Sequence, residues 1–382
     1  MSSIEVYINK TSAYFPNDPV SNDEMELYLG LINGKPSKSK GIVLRNNGIK
    51  NRYYALTKEG KATHTNAQMT ALAIKALFKE DPLKIKEMEL LSCGTSSPDQ
   101  MMPSHGVMTH GWLPEAEAIE VVSPAGVCCA GMHAIKYAYM AIRTGDIKIA
   151  VATGSERLSG LLVSNVFEEE AQKLKELKAN PYIAFQQDFL RWMLSDGASA
   201  FLMSDKPNQN SLSLRLDWIE GISYANEIET CMCMGAEKMP DGTLKGFMDF
   251  TPEEIMNKSI FSIKQDITLL GNNIVPLGGK KIKEILDRKG ITTRDIDYFM
   301  PHISSDFFKS KIYDMIEIYG GGIPYEKWFI NLYTVGNVGA ASAFLMIDEL
   351  FHSGRLKKGQ KLLLLVPESA RFSYMYAMLT VC

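Results

Sequence analysis

The chain has 382 residues, 46% of them hydrophobic and 22% charged, with a formal net charge of −3. That is the balance of a folded globular protein, long enough for one large core or two fused halves. So small a net charge excludes whole-surface attraction to nucleic acid or to a membrane, and an acidic partner would have to be met by a local basic patch.

The start, Met1-Ser2-Ser3-Ile4-Glu5, shows neither the basic nor the apolar segment of a secretory leader. No run approaches the ~18 apolar residues of a membrane span. Ile4–Ile8 reads as a strand. Asn22–Leu31 reads as a helix with an acidic start, capped by Ser21 or Asn22. Asn47-Gly48 is a turn signal. Thr65–Phe78 has amphipathic helical spacing, with Met69, Leu72, Ala73, Ala76 and Leu77 on one side. Met88–Cys93 is a short buried strand ending in the polar loop Gly94-Thr95-Ser96-Ser97-Pro98-Asp99. A second β-rich run ends at Ser123-Pro124, and a small-residue turn carries Cys128 and Cys129. Helix Ala130–Thr144 follows, then Gly145-Asp146 and strand Ile147–Thr153. Strand and helix alternate, which predicts α/β layers.

From Phe167 to Leu190 the pattern changes. Glu168-Glu169-Glu170 alternate with Lys173, Lys175 and Lys178, break at Asn180-Pro181, and lead into Tyr182, Phe185, Phe189 and Trp192. A solvated helix with packing aromatics and an inserted cap over a binding tunnel both fit. The polar run 205–212 reads as a loop between halves, dividing the chain into 1–205 and 206–382. Further strands are expected at Asp297–Met300, Trp328–Leu332 and Lys361–Val366.

The six cysteines are sparse and unevenly spaced, as in a reducing cytoplasm, and Cys231-Met232-Cys233 has no second pair at zinc-site spacing. No metal and no bound cofactor are expected. The Cys128-Cys129 turn admits two readings. One is a pair of small buried thiols under a helix. The other is a thiol aimed at a helix N-terminus, where unpaired N–H groups and the helix dipole favour thiolate.

An internal repeat bears on that choice. Cys129-Ala130-Gly131, a helix, a Gly-ended basic loop, a strand and Gly154-Ser155-Glu156-Arg157 are echoed by Asn337–Ser342, a helix, Ser353-Gly354-Arg355, strand Leu362–Val366 and Ser369-Ala370-Arg371. Two ordinary strand–helix–strand units would look similar. True duplicates would bring the two helix N-termini together, with Cys129 near Asn337. His302 sits at the end of the Asp297–Met300 strand after Pro301, where α/β sheets gather ligands. Alone it reads as a structural histidine; with Cys129 and Asn337 it completes a polar cluster.

These residues resemble a known family. Cys-Ala-Gly at 129–131, Pro-His at 301–302 and Gly-Asn-Val-Gly-Ala-Ala-Ser at 336–342 are similar to the Cys–His–Asn triad of the β-ketoacyl-acyl carrier protein synthase III family. Thr95–Asp99, Gly48-Ile49-Lys50-Asn51-Arg52 and Ser195–Ala200 resemble its other segments in the same order. The resemblance spans nearly the whole chain. It implies the thiolase-like five-layered αβαβα fold from two duplicated halves, usually as a homodimer. The segments 301–308 and 367–372 resemble a branch making dialkylresorcinol, cyclohexanedione or aryl-polyene precursors. The family's Gly-Gly-Gly-Phe is replaced by Ser369-Ala370-Arg371-Phe372, and the 157–192 segment is longer than in housekeeping members.

The implied chemistry is Claisen condensation of an acyl group on Cys129 with a malonyl or β-ketoacyl thioester. Cys129 is the expected nucleophile, its thiol pKa lowered by the helix N-terminus, with Cys128 as packing neighbour. His302 and Asn337 are the expected donors to the enolate oxygen, and the N–H groups of Cys129 and Ala370 to the acyl-transfer oxyanion. With a β-ketoacyl extender His302 would act as base. Glu368 and Arg371 would pair near the site or bind a β-keto or carboxyl group; a structural ion pair fits equally. His105, His110 and His133 are bland alternatives. The donor would arrive on phosphopantetheine, from acyl carrier protein or coenzyme A. Lys280, Lys281 and Lys283, or Lys309 and Lys311, are candidate docking cations, though solvated helix faces look the same. A papain-like protease also orders Cys, His and Asn this way, but its Cys-Gly-Ser-Cys-Trp context is absent and the repeat has no place in it. Non-catalytic ketosynthase partners usually lack the nucleophile, which this chain retains.

Overall fold

Apolar runs bounded by turn residues become strands, and nine of them form one hydrogen-bonded series in a computed structural model that describes residues 4–32, 34–37, 39–164 and 190–382. They are β1 (Tyr7–Tyr14), β2 (Leu90–Thr95), β3 (Glu120–Val122), β4 (Ile149–Glu156), β5 (Gly197–Ser204), β6 (Leu214–Ser223), β7 (Tyr298–Pro301), β8 (Lys361–Glu368) and β9 (Ser373–Val381). Their spatial order is β7-β8-β9-β6-β1-β5-β4-β2-β3. Only Tyr7 and Ile8 join β1 to β6, through Arg215 and Leu214. On one side of that seam the order is β3-β2-β4-β5-β1. On the other it is β7-β8-β9-β6, with Trp328 bridging in parallel to Phe299 of β7 in place of a third strand. The directions match as well: β2 runs parallel to both β3 and β4, as β7 does to β8 and to the Trp328 bridge, and the remaining pairs are antiparallel. The repeat in the sequence is therefore a repeat in topology.

Five helices complete the layers: α1 (Asn66–Leu77), α2 (Cys129–Thr144), α3 (Ile267–Lys289), α4 (Lys309–Gly320) and α5 (Ser342–His352). Met69, Ile74 and Leu77 of α1 cover one face of the first sheet at Leu91 and Val151. Between the sheets, Met132 and Ile135 of α2 and Phe344 and Ile347 of α5 pack against Phe201 on one side and Leu364 on the other. Ile282 and Ile285 of α3 and Ile312 of α4 cover the outer face of the second sheet at Leu363 and Leu365. The result is helix, sheet, helix, sheet, helix, the five-layered thiolase-like fold. Burying each such side chain contributes roughly 1.5–3 kcal/mol.

Local signals set the helix ends. Thr65 caps α1 in a reciprocal capping box with Gln68. The Asp266 carboxylate accepts from the N–H groups of Thr268 and Leu269 at the start of α3. The central layer is tight: a Cβ on Gly131 would lie 2.2 Å from the Ala340 carbonyl oxygen. Only glycine lets the heads of α2 and α5 approach so closely.

Several elements differ from the sequence reading. β1 starts at Tyr7 and runs to Tyr14, because a bulge between Ile8 and Lys10 shifts the alternation and the buried Ser12 hydroxyl bonds the Ala73 carbonyl at 2.7 Å. The Asn22–Leu31 helix shrinks to Met25–Leu29, stopped by Gly30 at φ +76°. Trp328–Leu332 forms no strand beyond its single bridge and leads into a helical turn, Leu332–Val335. The alternating-charge stretch and the aromatics Tyr182, Phe185 and Phe189 lie outside the described residues. Trp192 is fully buried, with Arg191 and Lys40 over its ring.

Candidate active site

A mainly apolar cavity lies between the head of α2 and the α3–α4 pair. Met193, Leu194, Leu270, Ile274, Ile312 and Met315 contribute its greasy wall. Cys128, His302 and Asn337 line it together with Ser96, Gln265 and Ser369. Three segments far apart in sequence thus meet at one site.

The two adjacent cysteines face different surroundings. Cys128 is the cap residue of α2 and lines the cavity. Cys129 begins the helix proper, is 1% exposed, packs in the central core and points its Sγ at the Val366 carbonyl oxygen, 3.4 Å away. The sequence reading expects Cys129 to be the thiol presented to substrate; of the two, it is Cys128 that lines the cavity, since one residue along a helix turns the side chain by ~100°. The expectation of a depressed thiol pKa is corrected. Burial first, then the Glu368 carboxylate, push both thiols up, and Glu156 adds to the effect on Cys128.

His302 follows β7, and its backbone N–H donates to the Leu365 carbonyl at 2.8 Å. The ring is buried, and that burial alone lowers its pKa from 6.5 to about 4. At neutral pH it is an uncharged imidazole, with one nitrogen donating and the other accepting. Asn337 is clamped through its backbone: its N–H donates to Met193 at 3.0 Å, and its carbonyl accepts from Ser195 at 2.9 Å. Its Oδ1 accepts from Gly339 N–H at 3.1 Å, so the side-chain NH2 is the end left to meet a ligand.

The β8–β9 loop departs from expectation. Glu368 does not pair with Arg371. Its Oε2 accepts from the N–H groups of Val127 at 2.8 Å and Cys129 at 3.0 Å. The Cys129 N–H is therefore already engaged and is not a free oxyanion donor. Arg371 is exposed and donates to the Ile228 carbonyl at 3.3 Å, away from the cavity. Ala370 does not line the cavity, although Ser369 does; its carbonyl accepts from the N–H groups of Cys231 and Met232. Gln265, which no motif singled out, and Ser96 and Ser369, whose motifs carried no role for them, supply further polar lining. The most informative missed residue is Glu156, fully buried at the end of β4 and bonded to Ser96, Ser97 and the Ala340 N–H. The repeat carried its signal, since β4 and β8 each end in glutamate.

The remaining candidates are peripheral. His133 is exposed in a surface depression with Lys136 and Tyr137. Lys281 pairs with Glu284, Lys283 with Asp287, and Lys309 donates to the Tyr333 hydroxyl. Lys280 and Lys311 are exposed. Among the described residues, no three His, Cys, Asp or Glu side chains are grouped as a metal site, and no helix is long and apolar enough to cross a membrane.

His105 is buried, hydrogen-bonded near Ser155 and Thr70, and its pKa is likewise lowered to about 4 by burial. A histidine near 6.5 when unfolded and near 4 when folded leaves the unfolded chain holding more protons in between. Its contribution is present above about pH 6.5 and lost as pH falls through 4. Glu156 and Asp196, pushed up by burial, act in the opposite sense, so a single-residue comparison is the clean readout. In urea titrations at pH 7 and 4.5, His105→Gln as the sole substitution should narrow the acid loss by about 2 kcal/mol; an unchanged gap would contradict a neutral buried His105.

Comparison with known proteins finds likenesses along nearly the whole chain. Residues 286–367 match the family described as 3-oxoacyl-[acyl-carrier-protein (ACP)] synthase III C terminal. The chain is 24% identical over 375 residues to β-ketoacyl-[acyl-carrier-protein] synthase III of Clostridium acetobutylicum, covering 95% of this chain and 94% of that protein. It is 27% identical over 321 residues to synthase III 2 of Deinococcus radiodurans, covering 83% and 79%. Among solved structures, the tetronic acid condensing enzyme AbyA1 superposes with a TM-score of 0.75 at 16% identity, covering 98% of this chain and 99% of that one. OleA of Xanthomonas campestris, solved with bound lauric acid and lauroyl-CoA, gives 0.71 at 18% identity, covering 98% and 99%.

Proposed function

From the premise that this chain belongs to the β-ketoacyl-[acyl-carrier-protein] synthase III family of the thiolase superfamily, we propose that it is a condensing acyltransferase. An acyl group passes from a thioester to the Cys128 sulfur, releasing the carrier thiol. A malonyl thioester then loses carbon dioxide, and its carbanion attacks the enzyme-bound acyl carbonyl. The new C–C bond forms as the cysteine thiol leaves. His302 and the Asn337 amide donate to the enolate oxygen. The observation that carries this reading is the shared apolar cavity, where Cys128 meets His302 and Asn337.

The extender follows from the same imidazole. A ring held near 4 is a weak base for the methylene of a β-ketoacyl thioester, but a neutral ring is well suited to donate. Decarboxylation generates the carbanion without a base, which favours malonyl. Mass analysis of products from mixed acyl and malonyl or β-ketoacyl thioesters tests this. A 3-oxoacyl product with carbon dioxide is expected. A cyclic dione from two β-ketoacyl units would instead place the enzyme in the ketosynthase-cyclase branch.

Phosphopantetheine thioesters, on acyl carrier protein or coenzyme A, are the proposed donors, with the exposed Lys280 and Lys311 as docking cations. A homodimer belongs to the same reading. It is supported by the exposed Met101, Met102 and Trp112, which flank the segment packed on Ser123 beside the edge strand β3.

A further inference from the structure

The two halves exchange carboxylates. Glu156, at the end of β4, accepts from the Ala340 N–H at 3.0 Å, just ahead of α5. Glu368, at the equivalent end of β8, accepts from the N–H groups of Val127 and Cys129, at the head of α2. Each glutamate therefore reaches into the other half and ties down its central helix. Glu156 is also bonded by the Ser96 and Ser97 hydroxyls, at 2.8 and 2.6 Å. Among the described residues, the hydrogen-bond donors to Glu368 are the two peptide groups on either side of Cys128.

We propose that Glu368 is a positioning residue of acyl transfer: it grips the peptide N–H groups flanking Cys128 and sets a negative charge at the head of α2, so that the thiol stays protonated until an acyl thioester arrives. The inference rests on the reading that the acyl group is carried at the head of α2. A bare helix N-terminus, with its N–H groups and dipole, would favour thiolate. Here a carboxylate occupies two of those N–H groups and opposes that field. Its neighbours do not cancel it. Arg371 is turned out to Ile228, His302 is neutral, and Glu156 adds a second negative charge. On α2 itself, partial desolvation, then Lys136, lowers the His133 pKa, and Glu368 acts against that shift. A protonated thiol also resists oxidation and stray alkylation, which act on thiolate.

The test is the pH dependence of iodoacetamide modification of the full chain, with the adduct located by peptide mass. Glu368→Gln keeps an oxygen to accept the two N–H bonds and removes the charge. Its modification midpoint should move down by about one pH unit or more, making modification about tenfold faster below both midpoints. Glu368→Asp keeps the charge and should retain the wild-type midpoint. Glu156→Gln, which removes the second charge while keeping an oxygen for the Ala340 N–H, should shift it less than Glu368→Gln does. An unmoved midpoint in Glu368→Gln, or an equal shift in Glu368→Asp, would leave Glu368 as a backbone tie alone and overturn the proposal. The functional reading fails separately, if an acyl thioester leaves no acyl mass on the 126–133 peptide of the wild type.

Discussion

Incubated with an acyl thioester, the wild-type chain is expected to gain one acyl mass on Cys128, Cys128→Ala none, and Cys129→Ala to remain acylated. The expectation is geometric. Cys128 lines the cavity that holds His302 and Asn337, whereas Cys129 is sealed in the core with its sulfur on the Val366 carbonyl. Loss of a nucleophile removes the covalent intermediate altogether, and overall condensation should fall by at least about 10³-fold. Cys129→Ala should chiefly cost stability, about 1–2 kcal/mol for a small buried side chain. Digestion and mass measurement of the 126–133 peptide separate these outcomes. Acylation lost in Cys129→Ala and kept in Cys128→Ala would return the role to Cys129, the residue the Cys-Ala-Gly resemblance favours. That result would require its side chain to leave the core position it holds here.

His302→Ala and Asn337→Ala should still accept the acyl group yet fail to condense it. Both groups are built as uncharged donors: burial lowers the imidazole pKa to about 4, and Gly339 holds the amide oxygen so that the NH2 end is available. Removing one donor to a developing oxyanion typically costs ~3 kcal/mol, or 10²–10³ in rate. Single-turnover assays, with acylation by mass and condensation by product release, give the split directly. Condensation should also show no His302 titration between pH 5 and 8. A mutant that loses acylation while a pre-acylated sample condenses normally would reverse the assignment. A bell-shaped profile centred on an ordinary histidine value would show that the ring acts as a base.

Much of this was legible in the chain because strand–turn–helix units leave periodic, local marks. The apolar run at Leu90–Thr95, the Thr65–Gln68 capping box and the glycine-ended helix at Thr144-Gly145 are short-range features. The repeat identified Asn337 as a counterpart to the cysteine turn, and Pro301-His302 marked a strand end; both residues line the cavity. Other features were hidden because they depend on distant partners. β1 looks polar from Asn9 to Ser12, and its burial follows from its pairing with β5 and the Ala73 carbonyl.

What the sequence by itself determined, then, is the layered α/β order, the duplicated unit and the residue types gathered for thioester chemistry, since these follow from periodicity and turn residues within short windows. Tertiary structure alone decided which of two adjacent cysteines meets the cavity, and that Glu368 occupies the N–H groups expected to be free. The physical reason is the same for both. Neighbours in sequence differ by a third of a helical turn, and their surroundings come from β8, more than 200 residues away, which packs across the head of α2.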